Sequence, residues 1–209
     1  MIHQTKDVMH MPTLAQAEAY LADAQARNPG PWVAHSRSTA MNARLIAEKC
    51  PSLNADTAYI MGLLHDIGRR EGYSSFKHTW DGYRFLLANG HEEAAAICLT
   101  HSFPTANIED YLGEIDVNED AYRFVEQFLR ERVPTDYDRL IQLCDAISMP
   151  EGAVLIEKRL MDVVMRHGFP KTGSAKFQAT FALKHHFDQL AAENIYHFLP
   201  NIVENTFGF

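Results

Sequence analysis

Apolar positions recur along this chain with the three-and-four spacing of amphipathic helices, and no stretch alternates long enough to make a strand. Thr13 followed by Gln16 is a capping-box pattern, and Leu14, Ala17 and Leu21 then repeat until Asn28-Pro29-Gly30-Pro31 ends the run, which predicts a first helix over 13–27. Residues 32–49, closed by Pro51, predict a second, with His35 in its first turn. Asn54 or Asp56 caps a third, which runs through Ala58, Tyr59, Ile60, Met61, Leu63 and Leu64 to His65 and Asp66 and stops at Gly68. After a loop at 72–75, helices are predicted over 78–89, with Gly90 as C-cap, and over 91–101, so that His78 starts one and His101 finishes the next. A long connection from Pro104 to Asn118 leads to helices near 119–132, 135–148, 152–167 and 174–198. The expected fold is all-α: one domain over 1–209, with no repeat, low-complexity segment or composition shift.

Composition narrows the function classes. The chain has 209 residues, 46% hydrophobic and 22% charged, as an ordinary globular protein does. A formal net charge of −8 argues against general nucleic-acid binding, which shows as a basic excess, but leaves room for a local basic pocket. No apolar run approaches the roughly 20 residues that cross a bilayer, and the N-terminus has no signal-peptide pattern, so the expectation is a soluble, cytoplasmic protein without a membrane partner. Cys50, Cys98 and Cys144 are too few and too scattered for a disulfide framework and are expected to be free buried thiols. Histidine is the anomaly: of eleven, five fall between residues 35 and 101.

His65 and Asp66 carry the chemistry. They end an apolar helix, where burying a carboxylate is costly unless something offsets its charge. Neighbours on a helix point about 100° apart, so the pair makes no surface by itself; an ion lying between them would, since neutral imidazole and carboxylate are both metal ligands. From the pair alone, the commoner alternative is two polar residues at a helix C-terminus, where the dipole favours His. His35, His78, His101 and Asp145 shift the balance, each lying near a predicted helix end or beside an apolar stripe.

At this point the chain resembles the HD superfamily of metal-dependent phosphohydrolases, whose pattern is a His, an adjacent His-Asp, often two further His, then an Asp. It is matched by His35, His65-Asp66, His78, His101 and Asp145, with His65-Asp66-Ile67-Gly68 spelling the HDIG form. The resemblance covers about 31–150 and implies an HD helical bundle, with 151–209 as additional C-terminal helices packed on it. It further implies that His35, His65, Asp66 and Asp145 hold one divalent ion, and that His78 and His101 hold a second, bridged by Asp66. His91 rivals His78 and is read instead as a helix cap. Arg69 stands where a Lys often follows the motif and would contact a substrate phosphate, so Asp66 and Arg69 are the catalytic candidates. Imidazole and carboxylate without thiolate suit Fe or Mn first, then Co, Zn or Ni.

The implied activity is hydrolysis of a small phosphomonoester or nucleotide, with a small phosphorylated molecule as the partner. The same resemblance leaves two alternatives: a His4Asp2 di-iron oxygenase and a non-catalytic nucleotide-binding protein. The signatures of guanosine tetraphosphate hydrolases, deoxynucleotide triphosphohydrolases and cyclic-di-GMP phosphodiesterases are missing, and the long 102–144 segment departs from the compact spacing of dinucleoside tetraphosphate hydrolases. Elsewhere, Arg70 is a weaker candidate than Arg69 for the phosphate, Lys171 and Lys176 are expected to be solvated, Trp32 to pack in the core rather than wall the site, and His185 and His186 to lie at the surface.

Overall fold

The computed structural model describes residues 11–208. The chain runs through α1 (Leu14–Arg27), α2 (Pro31–Ala47), α3 (Ala55–Leu64), a 3₁₀ turn (Ile67–Glu71), α4 (Lys77–Ala88) and α5 (Glu92–Thr100), then a 3₁₀ turn at Ile108–Asp110. It continues with α6 (Glu119–Glu131), α7 (Asp136–Asp145), a two-stranded hairpin of β1 (Ser148–Met149) and β2 (Gly152–Ala153), α8 (Ile156–His167), α9 (Ser174–Leu190), a 3₁₀ turn at Ile195–Phe198 and α10 (Ile202–Phe207). The fold is all-α apart from that hairpin.

The helix starts follow local chemistry. Thr13 and Gln16 close the expected capping box on α1, Pro31 opens α2, and Asn54 accepts from Thr57 N at 2.9 Å to cap α3. Thr135 and Asp138 make a second capping box on α7. Four expectations shift. The third helix stops at Leu64, so His65 and Asp66 occupy the joint between α3 and the following 3₁₀ turn. The helix expected over 135–148 ends at Asp145, because Pro150 and Gly152, the latter at φ +138°, turn the chain back into the hairpin, with Ser148 opposite Ala153. The helix expected over 174–198 ends at Leu190, where Ala192 takes φ +53° and Asp188 accepts from Ile195 N at 2.9 Å. The 104–118 connection is also tied down: Asp116 accepts from Ser75 N and Lys77 N, both at 2.7 Å, and so caps α4 from a distance.

One apolar cluster joins α2, α3 and α7 to the C-terminal segment through Ile46, Met61, Ile141, Ile156, Phe187 and Ile202. A second packs α1 against the other faces of α2 and α3, and a third gathers Phe76, Leu99, Phe103, Ile108, Val125 and Leu129. Two glycines set how closely these elements approach. A Cβ on Gly62 would lie 2.7 Å from Ala40 Cα, and one on Gly68 would lie 2.4 Å from Gly82 N and closer still to the His78 carbonyl. Gly68 therefore lets the turn that follows Asp66 rest directly on the first turns of α4, which carries His78. No helix among the described residues is long and apolar enough to cross a membrane.

Gly62→Ala and Gly68→Ala are expected to cost at least about 1–3 kcal/mol each by overpacking backbone against backbone. Urea unfolding measures this, and Gly90→Ala is the contrast, since a Cβ there meets nothing within 4 Å and the cost comes only from its positive φ.

Candidate metal centre

The six residues singled out in the sequence come from five helices and meet at helix ends. His35 lies in the first turns of α2, His65 caps α3, Asp66 follows it, His78 begins α4, His101 caps α5 and Asp145 ends α7. The first five are buried, with His65 1% and Asp66 4% exposed. Such a concentration of polar side chains inside a core is costly unless the groups compensate one another or an ion does.

The imidazoles are oriented by the backbone. Nδ1 of His65 lies 2.7 Å from the Gly62 carbonyl, Nδ1 of His101 lies 3.0 Å from that of Cys98, and Nδ1 of His78 contacts that of Ser75. A carbonyl only accepts, so each Nδ1 carries the proton and each neutral ring offers its lone pair at Nε2. Those Nε2 atoms converge on Asp66. Its Oδ1 lies 3.0 Å from His78 Nε2 and 3.7 Å from His101 Nε2, and its Oδ2 lies 3.9 Å from His65 Nε2. His78 Nε2 and His101 Nε2 stand 3.4 Å apart. Lone pairs so placed repel unless a proton or a cation lies among them. His65 Nε2 is buried without a hydrogen-bond partner, although unpaired buried polar atoms are few in folded proteins.

Two ligand groups follow, His35 with His65 and Asp66, and Asp66 with His78 and His101. The potential ligand atoms in each lie within 4.8 Å of one another, and the two groups share Asp66. These buried groups are able to hold a divalent metal ion, and the orphaned His65 Nε2 is the observation that fits one best. Asp145 falls in neither group. Its Oδ1 lies 2.9 Å from His35 Nε2, an atom that either donates to Asp145 or presents a lone pair.

Electrostatics agree with the geometry. Burial raises the Asp66 carboxyl, but the Arg69 guanidinium bonded to it leads the interactions that hold it well below the usual carboxylate range. Burial likewise acts on Asp145, where the hydrogen bond from His35 and the charge of Arg159 prevail and bring it well below that range. Burial pushes His101 down to about 3 and lowers His35 as well. Anionic carboxylates and neutral imidazoles are the ligating forms.

Other expected residues separate. Arg69 Nε donates to Asp66 Oδ2 at 2.7 Å and the side chain lines a cleft of about 660 Å³ that opens on the centre. Arg70 turns away to Asp23, at 2.6 Å, and over the Phe85 ring. His91 occupies the N-cap position before α5 but makes no side-chain cap bond; its Nε2 lies 3.2 Å from Tyr20 OH instead, and it belongs to neither ligand group. The three cysteines are free and buried. Trp32 packs against the second apolar cluster as expected, and it also lines the cleft while its Nε1 donates to the Asn28 carbonyl. Lys171 is exposed as expected, whereas Lys176 is drawn in, with Nζ donating to the carbonyls of Asp110 at 2.8 Å and Ser102 at 3.1 Å beside the cleft.

Sequence reasoning missed Arg159 and Arg166 of α8. Arg159 Nη2 lies 3.6 Å from Asp145 Oδ1 and both arginines line the cleft. The available signal was their spacing around Asp162, which puts all three on one helix face.

The family model described as HD domain matches residues 32–149. No curated protein and no solved structure gives a match.

Protein purified without chelator is expected to carry metal by elemental analysis and His65→Ala to have lost most of it, whereas His91→Ala keeps the native content. Equal metal in native protein and His65→Ala would contradict the assignment. A second expectation concerns acid. His35 and His101 have folded pKa values below the ordinary 6.5, so below that pH the unfolded chain takes up protons that the fold refuses. The metal-stripped protein should therefore lose thermal stability as pH falls from 6.5 towards 3, and His101→Gln should flatten that slope.

Proposed function

This chain belongs to the HD-domain family, and on that premise we propose that it is a metal-dependent phosphohydrolase acting on a small phosphomonoester or nucleotide. The observation that carries the reading is the junction of two elements: buried imidazole-carboxylate groups sharing Asp66, and a cleft above them furnished with cations. Arg69, Arg159, Arg166 and Lys176 line that cleft against Asp66, Asp145, Glu151 and Asp162. A chain of net charge −8 thus has a cleft that is balanced without an ion and positive with one. Such a place attracts phosphate. An oxygenase acting on an uncharged substrate has no use for it.

His35, His65, Asp66, His78, His101 and Asp145 would hold one or two ions, Fe or Mn in preference to Co, Zn or Ni given the absence of thiolate. When bound, the ions supply Lewis acidity, which makes water a competent nucleophile near neutral pH and offsets phosphoryl charge. The chain does the rest. The backbone carbonyls of Gly62, Ser75 and Cys98 lock three rings with Nε2 inward, an outer-shell arrangement that fixes both tautomer and direction. Asp66 presents Oδ1 to His78 and His101 and Oδ2 towards His65 and Arg69, so one carboxylate serves both groups. Arg69 is pinned through Nε, and its planar fork has further donors for phosphoryl oxygens. Three free buried thiols suit a reducing, cytoplasmic setting.

The test is phosphate release from a panel of nucleotides and sugar phosphates by protein loaded with Mn or Fe. Activity is expected with at least one, lost in Asp66→Asn, and lowered roughly 10- to 100-fold in kcat/KM by Arg69→Ala, the scale of a charge-assisted hydrogen bond. Absence of turnover across the panel with fully metallated protein, or oxygen uptake with a mixed-valent iron EPR signal, would overturn the reading.

A further inference from the structure

One wall of the cleft is α8, which lies beyond the segment matched by the HD-domain model. Arg159, Asp162 and Arg166 share one face of it, and both arginines lean on the same carboxylate oxygen: Asp162 Oδ2 accepts from Arg159 Nη1 at 3.2 Å and from Arg166 Nη2 at 2.8 Å. The other acidic neighbour of Arg159 is Asp145, which on the reading proposed above would be engaged by an ion. With an ion in place, two guanidiniums are left to one carboxylate.

Positive charge is concentrated further at the end of the helix. Arg166 Nη1 donates to His167 Nε2 at 3.2 Å, which requires that imidazole to be neutral. Burial lowers the His167 pKa, and the charges of Arg166, Arg159 and Arg69 lower it more, so three guanidiniums from two elements bear on one ring. Arg166 lies seven residues past Arg159, about 10 Å of helical rise from the residue that touches Asp145. A cleft of about 660 Å³ is of the size that takes a whole metabolite, far more than one phosphate needs.

We propose that Arg166, with His167, forms a second anion subsite, so that the substrate carries a second phosphate or carboxylate group joined through a small organic core to the phosphate at the metal centre. The phosphohydrolase reading enters only in naming the group at the centre; the subsite itself is a matter of binding. The C-terminal helices would then set which phosphate esters are chosen, while the HD core sets what is done to them. Arg159 is shared between the two, because it touches both Asp145 and Asp162.

Non-hydrolysable probes test this without turnover. Alkane-α,ω-bisphosphonates with three- to eight-carbon spacers are titrated calorimetrically into manganese-loaded protein, beside alkylphosphonates of matching length with one anionic end. At least one spacer length is expected to bind about tenfold more tightly than its monoanionic partner, the scale of one charge-assisted contact. Arg166→Ala and Arg166→Gln should bring that ratio to near one. Arg166 is half exposed, so both variants are expected to keep the native melting temperature, which is measured alongside. Equal affinity at every spacer, or a gain that survives both substitutions, overturns the subsite. Failure of the hydrolase reading looks different: the calorimetric gain and its loss in the variants persist, but no phosphate ester is turned over.

Discussion

A carboxylate held out of water among imidazole nitrogens is the constraint on which the rest of this structure depends. Asp66 has Arg69 on one oxygen and His78 on the other, with His65 and His101 within 4 Å, and it is 4% exposed. Removing such a group from water costs several kcal/mol, which geometry must return. The surrounding design meets that cost with charge and with carbonyl-oriented rings rather than with more hydrophobic packing. A cation shared by the two groups would complete it.

Helix ends make the arrangement possible. Four of the six residues cap or terminate a helix or open the next turn, where side chains project past the last ring of backbone hydrogen bonds. The glycines then bring those ends together: Gly62 lets α3 lie against α2, and Gly68 seats the Asp66 turn on α4. The tight tetrapeptide His65-Asp66-Ile67-Gly68 is thus two instructions in one. Its first half places the two candidate ligands, and its second half fixes where α4 and His78 stand relative to them.

What the sequence disclosed divides along physical lines. Features written in local chemistry were legible: the capping box at Thr13, the cap at Asn54, the apolar α3 and the ordered series of His and Asp. Features created by tertiary contact were not. Lys176 reads as a solvated loop cation until the Asp110 and Ser102 carbonyls are brought to it, and Arg159 reads as one arginine among many until α8 is folded beside Asp145. The helix expected to reach 148 stops early because Pro150 and Gly152 make a hairpin too short to show as alternation. His91 looked like a cap because it precedes Glu92, and only packing against Tyr20 gave it another partner. The wall of the cleft that carries Arg159 and Arg166, α8, falls outside the matched 32–149 segment, so motif and family together describe the centre but not all that surrounds it.

The central claim is that Asp66 joins two ligand groups around bound metal. Anomalous diffraction at the manganese and iron edges, from crystals grown without chelator, tests it most directly. The account predicts a peak within bonding distance of both His65 Nε2 and the Asp66 carboxylate and, where a second ion is present, another peak among Asp66, His78 and His101. Crystals of metal-replete protein with no peak beside Asp66, or with the metal bound elsewhere, would contradict it.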